Sequence, residues 1–217
     1  MSEGKVVAEK KKNLGRIIFD NAKKHNAMSK AMWDQLAEKM QFFDSDDEIR
    51  VVVLEGAGEK SFVSGADISK FESERSNIDS IKEYGFSVNR AYQSLQHALK
   101  PTIAKIDGYC YGGGMGIAVC ADLRICSENS SFCIPAAKLG VGYGHENTKV
   151  LMDLVGPAFT KEIFYTGRRF SAEEANNMGL VNSVQTQADL DEYVAGYVEV
   201  MVCLLYTSDA ADDTPCV

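Results

Sequence analysis

Two glycine-containing stretches hold the positions in this chain that could do chemistry without a reactive side chain. The first, Ser61–Ile68, reads SFVSGADI and places Gly65 directly before Ala66; the second, Ile106–Asp122, contains three consecutive glycines, Gly112–Gly114. A glycine has no Cβ, so the backbone around it can approach a ligand closely. Small and aliphatic residues after the triplet read as a buried helix, whose first N–H groups would be unpaired and carry a partial positive charge. Donors of that kind suit a developing oxyanion. Glycines clustered this way also serve a tight turn or close helix packing, and sequence spacing alone does not bring the two stretches together.

The elements that must position these loops can be read from the hydrophobic pattern. Val6–Lys10 and Leu14–Asp20 predict a hairpin turned near Asn13 and Gly15. Ser29 caps a helix with Met32, Trp33, Leu36, Met40 and Phe43 at helical spacing. Ile49–Leu54 reads as a buried strand leading into the glycine-punctuated loop Gly56–Phe71, where Ala66 is expected to start a short helical segment. Ser76–Leu99 predicts a longer helix broken or softened near Gly85 and closed by Pro101, and Thr102–Ile106 a strand that feeds the glycine triplet. Both loops therefore follow the order strand, glycine loop, helix, which predicts an α/β protein with ligand-facing loops at its strand ends. Farther on, Val150–Val155 and Thr160–Tyr165 read as helices either side of Gly156-Pro157. Ser171 is expected to cap 172–178 with Glu174 as a capping-box candidate, Leu180–Val184 reads as a short strand or packed extension, and a helix follows from Ala188 to about Val202.

Composition removes several classes of function. The 217 residues suffice for one well-buried core, and a net charge of −8 argues against a nucleic-acid partner, which calls for a concentrated basic surface. No apolar run spans a bilayer and the N-terminus lacks the continuous apolar stretch of a signal peptide, so a soluble cytoplasmic protein without membrane contact is expected. None of the six cysteines forms a CxxC pair, which points to free thiols, and the three histidines are scattered; no metal site is expected. The stretch GYCYGGGMG lacks the GxGxxG spacing of a dinucleotide loop.

Taken in chain order, SFVSGADI, then KPTIAKIDGYCYGGGMGIAVCADLRI at Lys100–Ile125, SFCIPAAKLGVG at Ser131–Gly142 and LVGPAFTKEIFYTGRRFSAEEANNMGLVNSV at Leu154–Val184 resemble the crotonase family, the enoyl-CoA hydratase and isomerase superfamily. The resemblance covers about residues 5 to 200. It implies a spiral of ββα units and an acyl-CoA thioester as substrate, with coenzyme A present only as part of that substrate and no permanently bound cofactor. It also implies an oxyanion hole made by the backbone amides of Ala66 and Gly113, and a homotrimer. Lys23 and Lys24, ahead of His25-Asn26-Ala27-Met28, resemble the nucleotide-side CoA loop, although two lysines are equally ordinary surface residues. Ala66, Asp67 and Ile68 complete the expected CoA-contacting set, Asp67 reading chiefly as a local hydrogen-bonding group.

The chain also departs from that family. Hydratases of the family carry one glutamate shortly after the glycine triplet and another after the proline of the following loop; here those positions resemble Gly116 and Ala136, neither of which can transfer a proton. Tyr143, His145 and Glu146 in VGYGHENTKV are the local candidates for proton transfer, with packing, capping and first-turn stabilisation as their alternative roles. The expected function is acyl-CoA thioester processing of the hydratase/isomerase type, with thioester hydrolysis, decarboxylation or noncatalytic acyl-CoA binding as alternatives. Residues 1–185 are expected to form the crotonase-like core, 186–203 the start of an incomplete C-terminal helical region, and 204–217 a non-native or disordered tail.

Overall fold

The structure, a computed structural model, describes residues 3–70 and 74–207. Strands β1 (Lys5–Lys11) and β2 (Leu14–Asp20) form the expected hairpin, with Lys12 in the left-handed region at its turn. Gly15 lies inside the ladder opposite Lys10 rather than in the turn. Helix α1 (Lys30–Asp44) starts where the Ser29 hydroxyl accepts the Met32 N–H, and it buries Met32, Trp33, Leu36, Met40 and Phe43 on one face.

The central chain then repeats one plan. Strands β3 (Val51–Gly56) and β4 (Ser61–Val63) precede helix α2 (Ile78–Gln96), β5 (Thr102–Ile106) and β6 (Tyr109–Tyr111) precede α3 (Gly113–Cys120), and β7 (Leu123–Ser127) and β8 (Ser131–Cys133) precede α4 (Ala136–Leu139) and α5 (His145–Thr166). In each pair the first strand joins a long sheet and the second a short one. After β9 (Phe170–Ser171) and α6 (Ala172–Asn177), β10 (Ser183–Gln185) completes the long sheet and α7 (Leu190–Thr207) follows. The long sheet has the order β1-β2-β3-β5-β7-β10 and is parallel beyond the hairpin; the short sheet is β4-β6-β8-β9. A stack of ββα turns results, the α/β spiral expected of the crotonase fold.

Alternation along the long sheet divides the core in two. Val52, Leu54, Ala104 and Cys126 point into the main core, whereas Val51, Val53, Ile103 and Ile125 pack on Leu190, Val194 and Val198 of α7. Each of those three helical side chains contributes about 1.5–3 kcal/mol by its burial. Residues apolar on both strand faces are thus covered on both, as the unbroken run Ile49–Leu54 implied.

Several expectations are corrected. Ala66 does not open a helix: Met28 N–H donates to Gly65 O at 2.8 Å and Asp67 N–H to Met28 O at 2.9 Å, so the chain is strand-like there and one turn of 3₁₀ helix begins only at Ile68. Helix α2 runs unbroken through Gly85, which faces open space and costs only its propensity, about 1 kcal/mol. By contrast, the two helices read either side of Gly156-Pro157 are present as read: Gly156, with φ 78° and ψ 168°, is not helical and divides α5 there. Helix α7 continues to Thr207, past the expected boundary at 203; residues 208–217 of the expected tail lie outside the described residues. Cys110, Cys120, Cys126 and Cys133 are free and buried as expected, but Cys203 is disulfide-bonded. Among the described residues no helix is long and apolar enough to cross a membrane.

Candidate active site

The two glycine loops meet. Gly65 adopts φ +111°, and a Cβ placed on it would lie 3.4 Å from Tyr111 O and 3.8 Å from Gly113 N. Strand β4 brings the first loop and β6 the second, because the two strands pair in parallel with Ser61 opposite Tyr109 and Val63 opposite Cys110. Helix α3 then starts directly on β4: a Cβ on Gly114 would lie 2.8 Å from the Val63 carbonyl carbon, too close for any other residue. Gly112 makes the turn with φ +50° and donates its N–H to Cys133 O at 2.7 Å.

Neither the Ala66 nor the Gly113 N–H meets a protein acceptor among the described residues. For Ala66 the reason is the bridge to Met28, which uses the flanking Gly65 carbonyl and Asp67 N–H and leaves the Ala66 amide directed to the other side. For Gly113 it is the helix start. Two unpaired donors side by side, one backed by a helix dipole, can hold an oxygen that gains negative charge.

Behind these amides lies a cavity of about 10 Å³, scarcely room for one water, walled by Tyr92, Met115, Gly116, Val119, Ile134, Tyr143, Asn147, Leu151 and Phe164. It contains no carboxylate. Ala136, buried in the first turn of α4, lies outside that lining and carries only a methyl. The phenols are the titratable groups of its wall: burial, reinforced by neighbouring thiol and phenol groups, pushes Tyr143 up to about 12 and Tyr92 well above its ordinary value, so both are neutral O–H donors at pH 7. Tyr143 packs edge-on against Phe164 with 5.2 Å between ring centroids, and its hydroxyl would lie 3.7 Å from a Cβ on Gly112.

The candidates read from the sequence separate accordingly. Tyr143 reaches the glycine loops. His145 and Glu146 are exposed on the first turn of α5, and neither lines the cavity; Asn147, the next residue, does. Lys24 is bound by Asp67 at 2.8 Å and the Ser69 hydroxyl at 2.7 Å, and Lys23 beside it is exposed. Burial opposes ionisation of Asp67, but hydrogen bonds from Lys24 and Ser69 outweigh it and hold the carboxyl below its usual range. Ile68 is exposed beside this pair. Tyr92 was legible only as an apolar position of a helix; the signal that it fills a pocket is Gly116, whose missing side chain leaves the space that the Tyr92 ring takes.

A larger cavity, about 620 Å³, opens at the C-terminal ends of the long sheet between Glu55, Asp107, Glu128 and Asp191, with Lys105 ion-paired to Glu55 and Asp191. It does not include the two amides, and its acidic walls repel phosphate groups. Among the described residues no group of three or more His, Cys, Asp or Glu side chains is placed to hold a metal ion.

The family pattern described as Enoyl-CoA hydratase/isomerase matches residues 9–206. This chain belongs to that family. It is 34% identical over 190 residues to the short-chain-enoyl-CoA hydratase of Clostridium acetobutylicum, covering 88% of this chain and 72% of the relative. It is also 37% identical over 170 residues to the carnitinyl-CoA dehydratase of Salmonella typhi, covering 78% and 64%. The crystal structure of an enoyl-CoA hydratase/carnithine racemase from Magnetospirillum magneticum superposes with a TM-score of 0.89 at 29% identity, over 100% of this chain and 84% of that one. That of an enoyl-CoA hydratase from Bacillus anthracis gives 0.86 at 28% identity, over 91% and 76%. The chain therefore has the fold and the family membership of acyl-CoA thioester-processing enzymes, and spans about two thirds to three quarters of these curated relatives' lengths.

Proposed function

We propose that the chain binds an acyl-CoA thioester, holds its carbonyl oxygen between the Ala66 and Gly113 amides, and stabilises the enolate-like state that follows. The observation that carries this reading is the approach of Gly65 to Gly113, with the Ala66 and Gly113 donors unpaired among the described residues. Donors fixed in place before the reaction favour the charge that grows in the transition state over the neutral ground state. On this reading Lys23, which is exposed and has no ion-pair partner among the described residues, is the lysine available to a CoA phosphate, since Lys24 is engaged by Asp67.

The missing carboxylates narrow the chemistry. By the resemblance, Gly116 and Ala136 take the positions of the hydratases' two glutamates, so the two-carboxylate addition of water is not the reaction we assign. A site with an oxyanion hole, a neutral phenol and no base suits an enolate that forms without proton abstraction. Loss of carbon dioxide from a malonyl-type thioester meets that requirement: the breaking C–C bond leaves its electron pair on the α-carbon, and on this reading the Tyr143 phenol, whose hydroxyl lies beside Gly112, gives that carbon a proton and regains one from water. We further assign the assembled enzyme as a homotrimer, in keeping with exposed Ile78, Phe86 and Tyr165, which a monomer would leave in water.

Incubation with malonyl-, enoyl-, 3-hydroxyacyl- and saturated acyl-CoA thioesters, followed by mass spectrometry, tests the assignment. Loss of carbon dioxide from the malonyl thioester is the expected result. A water-sized mass gain on the enoyl thioester would instead establish hydration despite Gly116 and Ala136, and thioester binding with no product at all would make the chain a noncatalytic acyl-CoA module.

A further inference from the structure

The cavity behind the amides is small because Tyr92 fills it, and Tyr92 can do so only because residue 116 is glycine. A Cβ built on Gly116 would overlap the Tyr92 hydroxyl and lie 2.6 Å from its Cζ and 3.0 Å from its Cε1. The phenol is held by two contacts, one of them itself anchored. Its hydroxyl donates to Gly113 O at 3.3 Å, its ring packs edge-on against Trp33 with 5.4 Å between centroids, and the Trp33 Nε1–H is itself tied to the Tyr84 hydroxyl at 3.0 Å. Tyr92 is buried and belongs to the main core, so it is not a swinging surface group. A side chain at 116 and a tyrosine at 92 exclude each other.

We propose that Tyr92 is the specificity-determining residue of this site: paired with Gly116, it closes the acyl pocket behind the oxyanion hole and restricts the substrate to thioesters with a short acyl group. The proposal rests on the acyl-CoA reading above and adds the length of the acyl chain to it. An acyl group attached at a carbonyl between the Ala66 and Gly113 amides would extend toward a space with room for about one water, closed by Tyr92, Leu151 and Phe164. Longer chains would have to displace a ring that is hydrogen-bonded to Gly113 O and packed edge-on against Trp33, whereas a short acyl group meets less of that ring.

The test measures dissociation constants of the purified full chain for free CoA and for non-hydrolysable thioether analogues of acetyl-, butyryl-, hexanoyl- and decanoyl-CoA, by titration calorimetry. Wild type is expected to bind the butyryl analogue at least about tenfold more tightly than the hexanoyl and decanoyl analogues, because displacing a well-packed core ring costs at least that factor. Y92A should remove this step and leave free CoA binding within about twofold. If wild type accepts hexanoyl as well as butyryl, or if folded Y92A keeps the wild-type preference, Tyr92 does not set chain length although the acyl-CoA reading stands. If none of the CoA ligands binds, that reading falls and takes the proposal with it. Thermal melting supplies a readout that needs no ligand: G116A should lower the midpoint by roughly 3–10 °C through overpacking, and in Y92A/G116A the second substitution should add no further loss. Fully additive losses would show that residues 92 and 116 do not share one volume, and would overturn the proposal.

Discussion

Replacing Gly65 by alanine perturbs the site at its narrowest point. Gly65 has φ +111°, a conformation L-residues avoid, and holding alanine there costs about 1–3 kcal/mol. For a chain of this size the loss lowers the melting midpoint by roughly 3–10 °C. The new methyl would also lie 3.4 Å from Tyr111 O and 3.8 Å from Gly113 N, so relief of the strain must turn the Gly65–Ala66 peptide, which carries one of the two donors. Loss of one oxyanion donor lowers kcat by about 10²–10³, or about 2.7–4 kcal/mol. The binding constant should move far less, because the donor acts chiefly on the transition state. Gly179→Ala is the matched control: φ is +76°, and the nearest atom to its Cβ is Leu154 O at 4.0 Å, outside the site. Both variants should lose comparable stability in thermal melts, and only G65A should lose turnover of the thioester that wild type consumes. If G65A retains turnover within about threefold while showing the expected drop in stability, the Ala66 amide is not an oxyanion donor.

Three further outcomes follow from the same geometry. Tyr143→Phe should reduce kcat about 10²-fold with KM little changed, as expected when a proton donor is removed; because the phenol is raised to about 12, the alkaline limb of wild-type activity should not report its ionisation, and an alkaline limb near pH 10 that disappears in Y143F would contradict the assignment. Asp67→Asn should destabilise the chain by roughly 1 kcal/mol at pH 7 in urea unfolding, the ion pair being discounted because Lys24 is half exposed. The folded carboxyl lies below its usual value, so this difference is fully present above about pH 4 and fades as the pH falls through the lower folded value; a difference that grows on acidification would refute the linkage. Ser171→Ala removes the hydroxyl that accepts the Glu174 N–H and should cost about 1 kcal/mol, read as a lower urea midpoint at unchanged slope.

What the amino-acid sequence determined by itself is local. Ser29 and Ser171 mark helix starts because a hydroxyl three residues ahead of an unpaired N–H is a short-range device, and both caps form where they were read. The strand Thr102–Ile106 and the buried face of α1 followed from periodicities of two and 3.6 residues, which depend only on backbone geometry. Ordered motifs over most of the chain were enough to place it in its family. Gly65 and Gly113, however, lie 48 positions apart, and only the pairing of β4 with β6 joins them into one site. The same holds for Tyr92 over Gly116, since a helical pattern says which face is buried but not which atoms meet it. His145 and Glu146 carry the side chains best suited to proton transfer, yet the start of α5 turns both to solvent and sends Tyr143 and Asn147 inward. Chemistry at this site depends on which groups share a volume closed to water, and such volumes are made by elements distant in the chain, so tertiary structure alone decided them.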